Sequence, residues 1–292
     1  MRDTRDMLLV LLSLLLMLTG CSRRDILDDY PVSGVEISLD WNGVTNKLPE
    51  GVRVIFYPKN AEGRKIDTYL SVKGGKVKVP PGRYSVVVYN YDTETVQIRG
   101  EEAYETIEAF TGHCNGLGIA GTEQLVWGPD PLYVVRIDDL KIENSEEELQ
   151  LNWKPKLVVK TYSFKLKVQG LEYVSSIVGS IEGMSSCYDL GLGCGKAGDS
   201  PIYFAARGSA GEVTGSFTVF GTSEGVISRA GNAIKLTLAF VKTDNKVQKM
   251  EVDITEVIAN SESGGSGGDD DGDEPFKEIE LPVEDEVKVD KP

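Results

Sequence analysis

The sequence predicts an all-β protein built of two domains. Apolar and polar residues alternate with period two through most of the chain, and Gly, Pro, Asn and Asp clusters punctuate these runs at the intervals of a β-sandwich. Strands heavily outnumber helices. The 292 residues, 40% hydrophobic and 26% charged, are enough for two medium domains and too mixed in composition for a disordered chain.

The first element is a leader. Arg2 and Arg5 precede a continuous apolar run from Met7 to Leu18, then Leu18-Thr19-Gly20-Cys21. About a dozen apolar residues are too few to cross a hydrocarbon core of about 30 Å as a helix, but they suit a secretory signal. Leu-Thr-Gly-Cys matches the bacterial lipobox, so residues 1–20 are expected to be a lipoprotein signal peptide and Cys21 the lipidated first residue of the mature chain. Ser22, not Asp, follows the cysteine, so the common inner-membrane retention signal is absent. The expectation is an outer-membrane, surface-exposed lipoprotein. Residues 21–33 are polar, carry Pro31 and read as a stalk.

A first β-domain is expected over residues 34–143. Val35, Ile37, Leu39 and Trp41 share one strand face, and Val52 to Tyr57 forms the next strand. Lys76 to Val79 and Arg83 to Asn90 flank Pro80-Pro81-Gly82. Pro at the first corner and Gly at the second predict a type II turn and an antiparallel hairpin. From Glu101 to Phe110 the residues Ala103, Tyr104, Ile107 and Phe110 recur at helical spacing, with acids first and Gly112 after, which predicts one short helix. Strands resume at Leu132 to Ile137. The acidic stretch around Glu143 to Glu148 marks a boundary.

A second β-domain is expected over 144–260, closing with a strand from Lys249 to Ile258. Residues 261–292 form an acidic linker and a terminal strand. This tail holds twelve acids and three lysines, so it carries −9 of the net −15. Its start, Ser-Glu-Ser-Gly-Gly-Ser-Gly-Gly, is flexible linker composition with a reach of about 20 Å over about 15 residues. In the strand, Ile279, Leu281, Val283, Val287 and Val289 take odd positions, and Pro282 confines it to a sheet edge. Burying five such side chains is worth about 8 to 12 kcal/mol, close to the cost of ordering about a dozen residues. This strand-pairing tail must therefore complete a sheet, its own or a neighbour's.

Composition excludes several chemistries. A net charge of −15 without a basic block repels phosphates, so no nucleic-acid partner is expected. His113 is the single histidine, leaving little material for triads or zinc sites. Cys114 beside it points to the opposite face of an extended chain and makes no nucleophile pair with it. Cys187 and Cys194 flank a Gly-rich loop and could close a disulfide in an oxidising envelope or stay free thiols. Asp269, Asp271 and Asp273 resemble a calcium loop only superficially, because Glu274 stands where the sharp turn needs Gly. No metal, cofactor or catalytic residue is expected, and no paired carboxylates are placed by a motif. Trp41, Trp127 and Trp153 with Tyr89 and Tyr91 could form an aromatic platform for sugar rings, Trp127 being the candidate ligand aromatic; aromatics in strands are more often core, which is where periodicity puts Trp41.

The lipobox, the Val35 strand, Val54-Ile-Phe-Tyr-Pro58, Val79-Pro-Pro-Gly-Arg-Tyr84 running into Val86-Val-Val-Tyr-Asn90, Gly128-Pro-Asp-Pro-Leu-Tyr133, and Gly170-Leu-Glu-Tyr-Val174 through Gly183-Met184 together resemble the fimbrillin-like lipoproteins of Bacteroidota. These include a group known only as a domain of unknown function. The resemblance implies two tandem transthyretin-like Greek-key β-sandwich domains, here with the short helix in the first, and a place among pilus components that exchange strands. It brings no catalytic residue. Arg53 and Arg64 lie in or near expected structure, so no processing site ends the first strand. An unprocessed, lipidated subunit suits a fimbrial anchor-like or accessory structural role, with other fimbrial subunits as partners. The alternative is a glycan- or host-ligand-binding surface lipoprotein, an adhesin that does not polymerise.

Overall fold

A computed structural model describes residues 33–60, 63–114, 124–145, 147–197, 200–221, 233–263, 276–282 and 287–292. The signal peptide, Cys21 and the stalk to residue 32 lie outside the described residues, as do the acidic run 269–274 and Val283.

The chain is nearly all β. Its first strands are β1 (Ser33–Leu39), β2 (Gly51–Pro58), β3 (Ile66–Ser71), β4 (Gly74–Val79), β5 (Gly82–Asn90), β6 (Val96–Arg99) and β7 (Glu108–Thr111). Next come β8 (Val126–Trp127), β9 (Tyr133–Ile142), β10 (Leu149–Trp153), β11 (Lys156–Leu157), β12 (Lys160–Gln169), β13 (Val174–Glu182), β14 (Ser185–Asp189) and β15 (Cys194–Ala197). The last are β16 (Ile202–Ser209), β17 (Glu212–Val219), β18 (Lys235–Lys242), β19 (Val247–Asp253), β20 (Phe276–Glu280) and β21 (Val287–Lys288). One α-helix, α1 (Thr255–Ser263), stands among the described residues. No helix there is long and apolar enough to cross a membrane.

The strands form three sheets. The first has the order β10-β1-β4-β3-β2-β5-β9-β11. In it β1 is antiparallel to β4 on one side and parallel to β10 on the other. Its core joins Val35 and Ile37 to Val54, Phe56, Val86 and Val88, so strands far apart in the order share one interior. The second sheet runs β19-β18-β13-β16-β17-β12-β20 around Tyr162, Phe164, Phe204, Phe217 and Phe240. Gly179 makes room in that core: a Cβ there would meet the Phe204 ring at 2.0 Å.

The third sheet, β15-β14-β7-β6, takes two strands from each half of the chain. Its inner face covers Ile55, Tyr57, Val87 and Tyr89, the residues of β2 and β5 that point away from the first core. Both faces of β5 are therefore buried, which is why Val86-Val87-Val88 is continuous rather than alternating.

Three local expectations are corrected. The Pro80-Pro81-Gly82 corner does not make a hairpin. β4 pairs with β1 and β3, whereas β5 pairs with β2 and β9. Gly82 is absent from the positive-φ residues and instead starts β5 opposite Ile142. The two prolines lack the N–H a ladder needs, so the chain leaves the sheet there and crosses over two strands before rejoining it.

The short helix at 101–110 is not formed. Two successive turns occupy its first half, with Ala103 N–H donating to Gly100 and Thr106 N–H to Ala103. Its second half is β7, antiparallel to β6. Burial of Ile107, Ala109 and Thr111 has period two, and Phe110 lies instead under the Arg99 guanidinium at 4.5 Å.

At 249–258 the expected strand ends at Asp253, whose carboxylate accepts from the Thr255 N–H at 2.9 Å and begins α1. Ile254 and Ile258, four apart, are both buried. Asp253-x-x-Glu256 was the overlooked start signal.

The 100–106 turn has a structural product. Gly100 sits at φ +67, and a Cβ there would lie 2.0 Å from the Thr106 carbonyl oxygen, so only glycine permits the turn. The turn delivers Glu101 to Arg53 on β2. All five guanidinium N–H groups are engaged: Nε and Nη2 with Asp67 at 2.9 and 2.7 Å, Nη1 with Tyr89 Oη at 2.8 Å, and Nη1 and Nη2 with the Glu101 carboxylate. Tyr57 Oη and Lys65 Nζ in turn donate to the Glu101 backbone carbonyl at 3.0 and 2.9 Å.

The Arg53 hydrogen bond holds the Asp67 carboxyl below its ordinary range. A depressed folded-state pKa contributes stability above the unfolded value, about 3.9, that is lost as pH falls through the folded one. In Asp67→Asn the acid limb of the melting temperature is expected to be shallower below about pH 4, as differential scanning fluorimetry across pH will read.

Candidate functional site

The candidate site is the edge of the second sheet where the C-terminal segment docks. β20 runs parallel to β12, with Thr161 opposite Phe276 and Lys165 opposite Glu280. β21 continues the pairing at Val168 and Gln169, and the Val289 N–H donates to the Gln169 carbonyl at 2.9 Å. Odd residues point inward. Ile279 and Val289 are buried to 3% and 2% exposure, and Leu281 and Val287 pack half-buried against the same core. Glu278, Glu280, Lys288 and Asp290 face solvent. The tail thus completes a sheet of its own chain.

Two residues outside the expected set make the docking possible. Gly170, just after β12, has φ +83, and a Cβ there would stand 2.4 Å from the Val289 carbonyl oxygen. Any side chain would push the segment off the sheet. Gln248, on β19 at the opposite edge, donates from Nε2 to the Lys288 carbonyl at 2.9 Å and accepts through Oε1 from the Asp290 N–H at 3.0 Å. Its amide satisfies both main-chain groups as a neighbouring strand would. Lys242 Nζ adds a 3.5 Å bond to the Lys291 carbonyl. The C-terminal residues therefore link the β12 edge to the β19 edge and close the curl of the second sheet.

The remaining candidate residues are dispersed. Trp127 is 38% exposed, edge-on to Tyr203 at 5.4 Å. Trp41 packs against the first core with its indole N–H donating to Val72 at 2.6 Å, while Trp153 and Tyr89 are buried. No shared aromatic platform joins them; Tyr91 pairs instead with Tyr69, 5.3 Å away. Cys114, Cys187 and Cys194 are free thiols. In the β14–β15 register Cys187 faces Lys196 and Cys194 faces Asp189, so the two cysteines are diagonal rather than opposite. Burial raises the Cys114 and Cys187 thiols above their ordinary pKa, which disfavours the thiolate. His113 makes only an isolated bridge with Val126. No group of three or more His, Cys, Asp or Glu that could hold a metal occurs among the described residues.

Comparison with known proteins adds four findings. A family model described as a domain of unknown function, DUF5119, matches residues 20–205. A Bacteroides ovatus protein named "Putative fimbrium anchoring subunit Fim4B" is 60% identical, covering 100% of this chain and 91% of its own. Among solved structures, a "putative adhesin" from Bacteroides ovatus superposes with a TM-score of 0.79 at 58% identity, over 94% of this chain and 98% of that one. The fimbrial anchor protein Mfa2 from Porphyromonas gingivalis superposes with a TM-score of 0.53 at 10% identity, over 85% and 89%, and shares the fold.

Proposed function

Because this chain belongs to the DUF5119 family, we propose that it is a fimbrial anchor-like or accessory structural subunit, lipidated at Cys21 and held at the outer-membrane surface. The observation that carries the reading is the 60% identity, over the whole of this chain, with a relative named for fimbrium anchoring. The architecture is consistent with it: the described residues are mostly paired strands. The protein works by offering β surfaces to other subunits and transforms no molecule. In domain terms the reading keeps two units but moves the expected boundaries of 34–143 and 144–260: β10 and β11 pair into the first sheet, which carries the first unit to Leu157, and the tail strands pair into the second.

The test is in the cell. Affinity purification of the tagged chain from cross-linked outer membranes is expected to recover fimbrial subunits, and loss of the gene should release fimbriae into the medium. Fimbriae still attached to cells lacking the protein, with no subunit recovered, would overturn the reading.

A second reading, a ligand-binding surface lipoprotein, draws support from Trp127, whose ring is partly open to solvent beside Tyr203. On that reading Trp127→Ala lowers affinity on a glycan array with an unchanged melting temperature.

A further inference from the structure

Two tyrosines stand out of the first sheet where β3 passes the end of β5. Tyr69 is 60% exposed and Tyr91 45% exposed, far more than the other tyrosines of this sheet, which are buried. Their rings meet edge to face at 5.3 Å and 79°, forming an open corner. The corner overlooks a cleft of about 260 Å³ whose lining also includes Arg53, Tyr89, Asn90, Ile98 and Glu101. That volume lies just below the range of about 300 to 1,000 Å³ common for small-ligand clefts, so one or two sugar-sized rings would fill it.

The contacts of Arg53 decide what chemistry fits. Exposed tyrosines beside carboxylates would ordinarily suggest a cation, but the cation position is already taken. The Arg53 guanidinium lies 5.6 Å from the Tyr69 centroid and 5.9 Å from that of Tyr89. With Arg53 against Asp67 and Glu101 and Lys65 against Glu102, the cluster carries one excess negative charge, which repels anionic ligands. Every guanidinium N–H is consumed internally. What remains for a ligand is acceptor capacity, because an ionised carboxylate has about four lone-pair sites and Arg53 and Tyr89 together give Glu101 three hydrogen bonds. The ligand must therefore be neutral, rich in hydroxyl donors, and flat and apolar on one face. Aromatic bases attached to phosphates are disfavoured by the net charge of −15.

We propose that the Tyr69–Tyr91 cleft is a binding site for a neutral saccharide, one pyranose face resting on an exposed tyrosine ring and a hydroxyl donating to the Glu101 carboxylate. The site is preorganised: Glu101 is fixed by the Gly100 turn and by Tyr57 and Lys65, so binding orders little beyond the two tyrosines. It is distinct from Trp127, which sits on β8 beside the second sheet. It does not rest on the fimbrial reading, since assembly and sugar binding are read by separate assays.

The experiment presents the mature chain, residues 21–292 with Cys21→Ser for solubility, to a printed array of neutral, sialylated and sulfated oligosaccharides and to lysine-rich peptides, with hits titrated by saturation-transfer NMR. The expected result is binding confined to neutral oligosaccharides, weakened about tenfold or more by Tyr69→Ala and by Tyr91→Ala separately and unaffected by Trp127→Ala. Both tyrosines are exposed, so melting temperatures should not move. Absence of any neutral hit, retention of binding in both tyrosine variants, preference for the cationic peptides, or loss of binding in Trp127→Ala would each overturn the proposal.

Discussion

Replacing Cys21 by serine is expected to move the protein from the membrane pellet to the soluble fraction almost completely. Each buried methylene of an acyl chain contributes about 0.8 kcal/mol, and one myristoyl-length chain binds only reversibly, so stable attachment takes two chains or a second signal. On the proposed reading the acyl chains make the attachment, and a net charge of −15 opposes adsorption of the chain to anionic lipid. Carbonate extraction followed by immunoblotting reads the partition. A variant that stays in the pellet would show that something other than residue 21 holds the chain.

The second large effect is expected from the C-terminus. Deleting residues 276–292 removes Ile279 and Val289 from the second core and bares the whole β12 edge. Truncating a single buried aliphatic side chain to alanine costs about 2 to 5 kcal/mol, and here two leave together with their ladder. That sum rivals the stability of an entire domain, about 5 to 15 kcal/mol. Loss of the cooperative unfolding transition of the second sheet in urea, and rapid proteolysis near β12, are the expected outcomes. Ile279→Ala alone should keep the transition but lower its midpoint. A truncated chain with an unaltered unfolding curve would mean the segment is a dispensable appendage.

Much of this was legible in the sequence because period-two alternation reports one-sided burial directly. Ile279 and Val289 occupy the inward face that their odd numbers imply, and β1, β2 and the tail strand fall close to their expected positions. Less legible was anything decided by which strands become neighbours. Pro80-Pro81-Gly82 has the composition of a hairpin turn, yet it carries a crossover, because strand order depends on contacts between β4 and β1 some forty residues apart. Helical spacing at 101–110 failed for a related reason. The apolar residues there serve two different elements, and Gly100 with Glu101 answers to Arg53 in β2 rather than to a helix. The third sheet was hidden in plain view: Val86-Val87-Val88 is apolar at every position, the mark of a strand covered on both sides. Gln248 and Gly170 gave no signal at all, since a surface glutamine and a loop glycine acquire their roles only once the tail has docked.

Finally, the position of β1 between β4 and β10 bears on how a tether would load the molecule. A pull applied along the axis of β1 from its Ser33 end would load that strand first. Because that strand is laddered to β4 on one side and β10 on the other, the tension falls on two rows of hydrogen bonds in shear, all resisting together, instead of unzipping one row bond by bond. If the chain is fastened at residue 21, as proposed, a filament's drag along β1 would meet the first sheet in its stiffest direction.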